Sequence, residues 1–206
     1  YCYENYRGED AADLGFAVNW IGFWFNIPGV TLDPTEVVTN FIDTGTDVIL
    51  SGIDTTEVID ITGQRGEQGA AALAIPYDYL SACDNAPEVC LGVPFFSWGP
   101  SYLDIVTAVS NGTWEQSWDW LPADWDNLGD PTLTNVGWVD GPALTEEMKA
   151  QLDEFIAGLA SGEINVWTGP INLQDGTAYI AEGAVATDDE IWYLPQLLEG
   201  MTGSSN

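Results

Sequence analysis

Aromatic rings and a carboxylate occur at the ends of two successive predicted strands. The cluster at residues 20–26 holds Phe and Trp side chains and ends a strand, and Asp54 follows the strand at residues 47–52. In an open α/β sheet such strand ends face the same crevice, where small ligands bind. The spacing therefore predicts a small-molecule binding site.

The charge of the chain restricts its partners. Three basic residues stand against 33 acids, which gives a formal net charge of −30. Such a field repels phosphate backbones and anionic membranes, so we expect no nucleic-acid partner and a neutral or cationic ligand. The acidity could instead keep an exported protein soluble or suit it to high salt.

The composition argues against an enzyme. No histidine occurs, which removes the usual general base near neutral pH and the commonest transition-metal ligand. The acids between residues 119 and 130 do not fit a calcium loop. No carboxylate pair is singled out for acid and base work. We therefore expect no catalytic residue, no metal site and no cofactor.

Two of the three cysteines are placed to form a disulfide. Cys83 and Cys90 bracket a short polar loop, and a bridge across it would stabilise the chain by about 2 kcal/mol. It would indicate an oxidising compartment. The alternative is a pair of free thiols. Cys2 is left over in either case.

Alternating helices and strands must position these side chains. The order strand, helix, strand, helix, strand is typical of parallel βαβ units. The first helix has Asp33 as its cap and Pro34 at its first position. The predicted elements are strand 16–23, helix 34–44, strand 47–52, helix 55–68 and strand 71–77.

The second half of the chain adds two helices and a hairpin. A helix at residues 101–110 places Leu103, Ile105, Val106 and Val109 on one face, which we expect to be buried. A strand follows at residues 136–140, and a helix begins at Thr145. The pair Asp175-Gly176 favours a tight hairpin turn.

Several short segments, in order along nearly the whole chain, resemble those of one known family. They are residues 20–25, 33–36, 45–49 with Asp54, 75–78, 98–100, 111–114, 168–171 with Asp175-Gly176, and 199–201. On these segments the chain resembles the BMP (basic membrane protein, or PnrA-like) family. These are substrate-binding lipoproteins of bacterial ABC importers and include purine-nucleoside receptors.

The resemblance implies an α/β fold like that of the type I periplasmic binding proteins, with a parallel βαβ sheet and helices on both faces. Only the C-terminal portion of the family is matched, so the N-terminal part of the first lobe is expected to be missing. Residues 1–92 would form βαβ units of the second lobe, and residues 93–130 would cross back to the first. Residues 131–206 would supply the remaining strands and helix of the second lobe with a final crossover.

For a nucleoside ligand, the aromatic cluster offers stacking and hydrogen bonding. Trp24 or Phe25 would stack on the base, and Asn26 beside them could bond a base edge. Because successive strand residues face opposite ways, we expect one of the two rings to be part of the core.

Three further site residues follow from the resemblance. Asp54 matches a family ligand acceptor, although it could instead cap the helix that follows. Asp78 aligns with an acid that resembles a ribose-hydroxyl acceptor, although it could instead form a turn. Phe96 stands where nucleoside-binding members place a lysine, which shifts the pocket toward apolar or aromatic ligands.

The family implies an extracytoplasmic solute-binding protein, periplasmic or on the cell surface and lipid-anchored through an absent N-terminus. Its partners would be a nucleoside-like small molecule, bound between two lobes, and ABC permease subunits. The opening residues lack the pattern of a signal peptide, and no stretch is long and apolar enough to span a membrane. The alternative is a structural protein of an extracellular array, through self-association or with a partner chain that supplies the missing first lobe.

Overall fold

The computed structural model describes residues 1–204. The chain forms two compact units. The central unit is Phe23–Lys149, and the terminal unit combines Tyr1–Gly22 with the described chain from Ala150 onward. All six predicted ligand-site residues belong to the central unit. The predicted division into lobes at residues 92 and 130 stays a prediction.

Eight strands and six α-helices occur in residues 1–204. In chain order they are α1 (Cys2–Arg7), β1 (Phe16–Asn19), α2 (Pro34–Asp43), β2 (Val48–Leu50), α3 (Glu57–Glu67), β3 (Leu73–Ile75), β4 (Gly92–Phe96), α4 (Gly99–Asn111), β5 (Val136–Asp140), α5 (Glu146–Ser161), β6 (Ile171–Asn172), β7 (Ala178–Ile180), α6 (Asp188–Trp192) and β8 (Met201–Ser204).

The central unit begins with the predicted parallel arrangement. Helix α2 starts as expected, because the backbone N–H of Thr35 donates to the Asp33 carboxylate over 2.9 Å and Pro34 follows the cap. Strands β2 and β3 pair in parallel with α3 between them in sequence. A parallel bridge between Ala74 and Cys90 continues this order to the segment that leads into β4. The predicted α/β class is confirmed.

Strand β5 adds an antiparallel partner to β4. Gly92 lies opposite Asp140, and Phe96 lies opposite Val136. The strand itself is predicted by the sequence, but its direction is not. A small core of mostly aliphatic side chains lies among strands β2, β3 and β4 and helices α2 and α3. Its most buried members include Val38, Ile49, Val58, Ile59, Ala74, Cys90 and Val93.

The expected burial of the α4 face is wrong. Leu103, Ile105, Val106 and Val109 are all exposed, with 67% of Leu103 accessible to solvent. A periodic apolar stripe predicts that a helix face is covered, but the covering element has to come from elsewhere in the fold. Within residues 1–204, no α4 side chain is buried.

The terminal unit contains two further strand pairs. Strands β1 and β8 pair in parallel, with Phe16 opposite Met201. Strands β6 and β7 form the predicted antiparallel hairpin, and Gly176 in its turn has a φ of 83°. Helix α5 starts in the central unit, after Thr145 as predicted and with two glutamates in its first turn, and continues beyond Ala150. Among the described residues, no helix has the length and apolar character needed to cross a bilayer.

Candidate ligand-binding site

Strands β2, β3 and β4 of the central unit end at the same edge of the sheet. Beyond β2, the N–H of Ser51 donates to the carbonyl of Ile75 over 2.9 Å. Beyond β3, the N–H of Asp78 donates to the carbonyl of Pro94 over 3.0 Å. We call the segments that follow, residues 51–56, 76–80 and 96–102, the carboxyl edge. This is the position at which open α/β sheets bind ligands.

Asp54 lies on the carboxyl edge with a free carboxylate. Helix α3 begins only at Glu57 and has no side-chain cap, so the capping alternative is wrong. The Asp54 side chain is exposed and makes no hydrogen bond or ion pair within residues 1–204. Its backbone N–H donates to the carbonyl of Trp24 over 2.7 Å. This bond brings the aromatic cluster next to the acid.

The aromatic rings of this cluster face solvent. Trp24 is 65% exposed and Phe25 is 47% exposed, so the expectation that one of them belongs to the core is wrong. Strand β1 ends at Asn19, and the chain then bends, so the alternation of a strand does not apply here. Phe23 holds the two rings together, at centroid distances of 6.2 Å to Trp24 and 5.0 Å to Phe25.

Asn26 has one polar atom engaged. Its side-chain oxygen accepts a hydrogen bond of 3.3 Å from the hydroxyl of Thr31, and the residue is half-buried. The amide NH2 group makes no hydrogen bond within the described chain. It is therefore the part of Asn26 that could donate to a base edge.

Asp78 connects the ends of β3 and β4. Its backbone has a φ of 50°, in the left-handed region, and its Oδ1 accepts a 2.7 Å hydrogen bond from the N–H of Phe96. One carboxylate oxygen thus holds the neighbouring segment, and the other has no partner among the described residues. The turn and the ligand-acceptor role are compatible, and the ligand role stays a prediction.

Phe96 belongs to a row of four aromatic rings. Its ring is 5.9 Å from that of Tyr77 and 6.4 Å from that of Trp98, and Trp98 is 6.4 Å from Tyr102. We call Tyr77, Phe96, Trp98 and Tyr102 the ring row. Sequence reasoning singled out only Phe96. Trp98 and Tyr102 are four residues apart at the start of α4, a spacing that places both on one helix face.

Asp54 and Asp78 both affect the pKa of Tyr77. Burial raises the pKa of Tyr77 above its ordinary value, and the negative charges of Asp78 and Asp54 raise it further. Both carboxylates therefore lie within electrostatic reach of the Tyr77 hydroxyl. The carboxyl edge thus combines aromatic surface with two negative charges.

Within residues 1–204, no lysine or arginine forms an ion pair with an acid of this edge. Arg7 pairs with Glu9, Arg65 with Asp43 and Lys149 with Asp140, which accounts for every lysine and arginine. Within residues 1–204, no group of three or more Cys, Asp or Glu side chains is arranged to hold a metal ion. The arrangement can stack flat groups and accept hydrogen bonds, and it is poorly suited to anions.

The predicted disulfide is confirmed. Cys83 and Cys90 are joined, with 5.4 Å between their Cα atoms. The bridge anchors the loop between β3 and β4 to the core through the buried Cys90. Cys2 is a free, exposed thiol, and partial burial raises its pKa above the ordinary value.

Comparisons with known proteins give two relatives. A purine-binding protein of Brucella abortus is 30% identical over 181 residues, which is 87% of this chain and 46% of the relative. A putative ABC transporter glucose-binding protein of Haloferax volcanii is 26% identical over 160 residues, covering 75% of this chain and 35% of the relative. The chain therefore spans less than half the length of either relative.

Family models and solved structures were compared as well. No protein-family model matches the chain. A solved ABC transporter solute-binding protein from Conexibacter woesei superimposes with a TM-score of 0.42 at 18% identity, covering 64% of this chain and 41% of its own.

The relatives indicate one class of protein. The chain is similar to the substrate-binding proteins of ABC transporters. The resemblance to the BMP-like, or PnrA-like, substrate-binding proteins that the sequence predicts is confirmed.

Proposed function

We propose that this chain is the ligand-binding part of an extracytoplasmic solute-binding protein of an ABC importer. The proposed ligand is a small, flat and neutral molecule such as a purine nucleoside, which the protein delivers to permease subunits. The name of the Brucella relative, a purine-binding protein, supports this ligand class. The protein would bind its ligand without changing it chemically.

The main support is the convergence of rings and carboxylates at the carboxyl edge. Stacking of a base on an aromatic ring contributes about 1–3 kcal/mol. Trp24, Phe25 and Phe96 each offer an exposed ring for this purpose. The free oxygens of Asp54 and Asp78 can accept hydrogen bonds from ribose hydroxyls or base amines. The edge would form one wall of the site, and the ligand is proposed to lie between two lobes.

The same geometry excludes one ligand class from the proposal. A nucleotide would bring phosphate charge to an edge that holds two carboxylates and no cation. Placing like charges together is unfavourable, and added salt weakens this repulsion because its ions screen the charges. Nucleosides should therefore bind much better than their monophosphates.

Isothermal titration calorimetry on the full 206-residue chain tests the proposal. Adenosine, guanosine and inosine should bind with micromolar dissociation constants, whereas the monophosphates should not bind measurably. Glucose belongs in the panel because of the Haloferax relative. If no nucleoside binds, the proposed ligand class is wrong.

A matched pair of variants locates the site. Asp54→Asn should weaken nucleoside binding about tenfold, equivalent to about 1.4 kcal/mol, because a carboxylate acceptor is lost. Asp47→Asn is the control, since this exposed acid lies next to the other end of the same strand. Equal effects of the two substitutions would argue against a site at the carboxyl edge.

The alternative is an assembly role, and the α4 face favours it. Its four exposed aliphatic side chains form the kind of apolar surface that other polypeptides cover. Analytical ultracentrifugation without ligand distinguishes the two functions. Large assemblies that dissociate in the Val106→Glu variant would support the alternative, and a monomer that binds nucleosides would contradict it.

A further inference from the structure

The ring row is larger than a single base requires. It begins at Tyr77 after β3, includes Phe96 at the end of β4, and continues through Trp98 to Tyr102 in the first turn of α4. Trp98 is 62% exposed, and the rings of Phe96 and Tyr102 are exposed as well. These rings are therefore available to a ligand and are not part of the core.

Hydrogen bonds to the loop before β5 hold the middle of the row in place. The N–H of Ser97 donates to the carbonyl of Asn135 over 2.8 Å, and the Ser101 hydroxyl bonds the Asn135 side chain over 2.5 Å. Asp78 fixes the N–H of Phe96 from the other side. Because the backbone on both sides of Trp98 is held, the row offers a preformed surface, which lowers the entropic cost of binding.

Aromatic faces and free carboxylates share one preference. A ring face carries partial negative charge and attracts cations, with a contribution of about 0.5–2 kcal/mol depending on solvation. Two carboxylates beside the rings act in the same direction, and all three basic side chains are paired elsewhere. A flat ligand with a positive charge would be attracted by both the rings and the carboxylates, whereas a neutral ligand of the same shape would have only stacking and hydrogen bonds.

We propose that the ring row, together with Asp54 and Asp78, selects flat ligands that carry a positive charge on the ring over neutral ligands of the same size. The corresponding ligand class is the cationic heteroaromatic ring, for example a ring-N-methylated purine nucleoside. This inference rests on the proposed function, since it keeps the nucleoside class and the same edge and replaces the neutral nucleoside by a cationic one as the preferred ligand.

A pair of isomers separates charge from shape. N1-methyladenosine is protonated and carries a positive charge on its ring near neutral pH, whereas N6-methyladenosine is neutral and has the same number and kinds of non-hydrogen atoms. Calorimetry on the full chain should show that the N1 isomer binds about tenfold more tightly. The ratio should fall as salt is raised, because salt screens exposed charges.

The outcomes distinguish this inference from the function on which it rests. Equal binding of the isomers, or tighter binding of the N6 isomer, would overturn the charge preference and leave the nucleoside function standing. If adenosine binds but neither methylated isomer does, the charge preference is also overturned and the nucleoside function still stands. Binding of no nucleoside at all would overturn the proposed function as well.

Variants test the part played by the row. Trp98→Leu should reduce the ratio of the two affinities at least threefold, and Phe96→Lys should make the N6 isomer the tighter ligand. Trp114→Leu is the matched control, because Trp114 is an exposed tryptophan outside the row, and the ratio should not change. A ratio unaffected by Trp98→Leu and Phe96→Lys would show that the row does not select the charge.

Discussion

Asp78 offers a quantitative test of how the carboxyl edge is built. Its backbone adopts the left-handed conformation, and its carboxylate accepts a hydrogen bond from the N–H of Phe96. Asparagine can do both, glycine can adopt only the conformation, and alanine can do neither well. Substituting Asp78 by these three residues therefore separates the two contributions.

The magnitudes follow from each contribution. The left-handed conformation costs an alanine about 1–2 kcal/mol, whereas glycine adopts it freely. An intramolecular hydrogen bond contributes about 1 kcal/mol net, and at this exposed position water compensates part of its loss. Asp78→Asn should leave the unfolding free energy nearly unchanged. Asp78→Gly should lower it by about 1 kcal/mol, and Asp78→Ala by about 2 kcal/mol.

Urea unfolding of the full chain, followed by tryptophan fluorescence, measures these differences. Hydrogen exchange gives a local readout, because the Phe96 amide should stay protected in the asparagine variant and lose protection in the other two. Equal stability of the asparagine and alanine variants would refute the reasoning. So would a Phe96 amide that remains protected in the glycine variant.

Three further predictions concern the same unit. Because the pKa of Tyr77 is raised, the unfolding free energy should fall as the pH rises from 10.0 through the native pKa, and Tyr77→Phe should remove this part of the fall. Asp54→Asn should lower that pKa in an ultraviolet titration. Gly92→Ala should destabilise the chain by about 1–3 kcal/mol in urea, because a Cβ there would meet the ring of Trp138, whereas Gly52→Ala meets open space and should cost little. Reduction of the disulfide should lower the melting temperature by an amount equivalent to about 2 kcal/mol, and a melting temperature unchanged by reductant would contradict this.

Local signals in the sequence predicted the elements well. Asp33 and Pro34 specify the start of α2 through a cap and a fixed φ, both of which depend only on neighbouring residues. The tight turn at Asp175-Gly176 is equally local. The order of short apolar strands and helices predicted the parallel pairing of β2 with β3, since such strands need a helical connection between them.

Tertiary features of the site could not be predicted in the same way. Tyr77 and Phe96 come together only because the segment after β3 is paired with β4, and no sequence spacing reveals that register. The expectation that Trp24 or Phe25 is buried depended on the alternation of a strand, and that strand ends five residues before Trp24. The α4 stripe has the period of a buried helix face, but period alone does not supply a covering element.

The two acids of the carboxyl edge have different tasks in this arrangement. Asp78 has one oxygen committed to the N–H of Phe96, so its substitution would move a ring as well as remove a charge. Asp54 has no hydrogen-bond partner for either carboxylate oxygen among the described residues, and its backbone N–H connects it to the aromatic cluster. A ligand that reaches the edge therefore meets Asp54 as an uncommitted acceptor and Asp78 as a positioning residue with one oxygen to offer. We expect specificity for hydrogen-bond donors to depend mainly on Asp54, and specificity for ring shape to depend on Asp78 through Phe96.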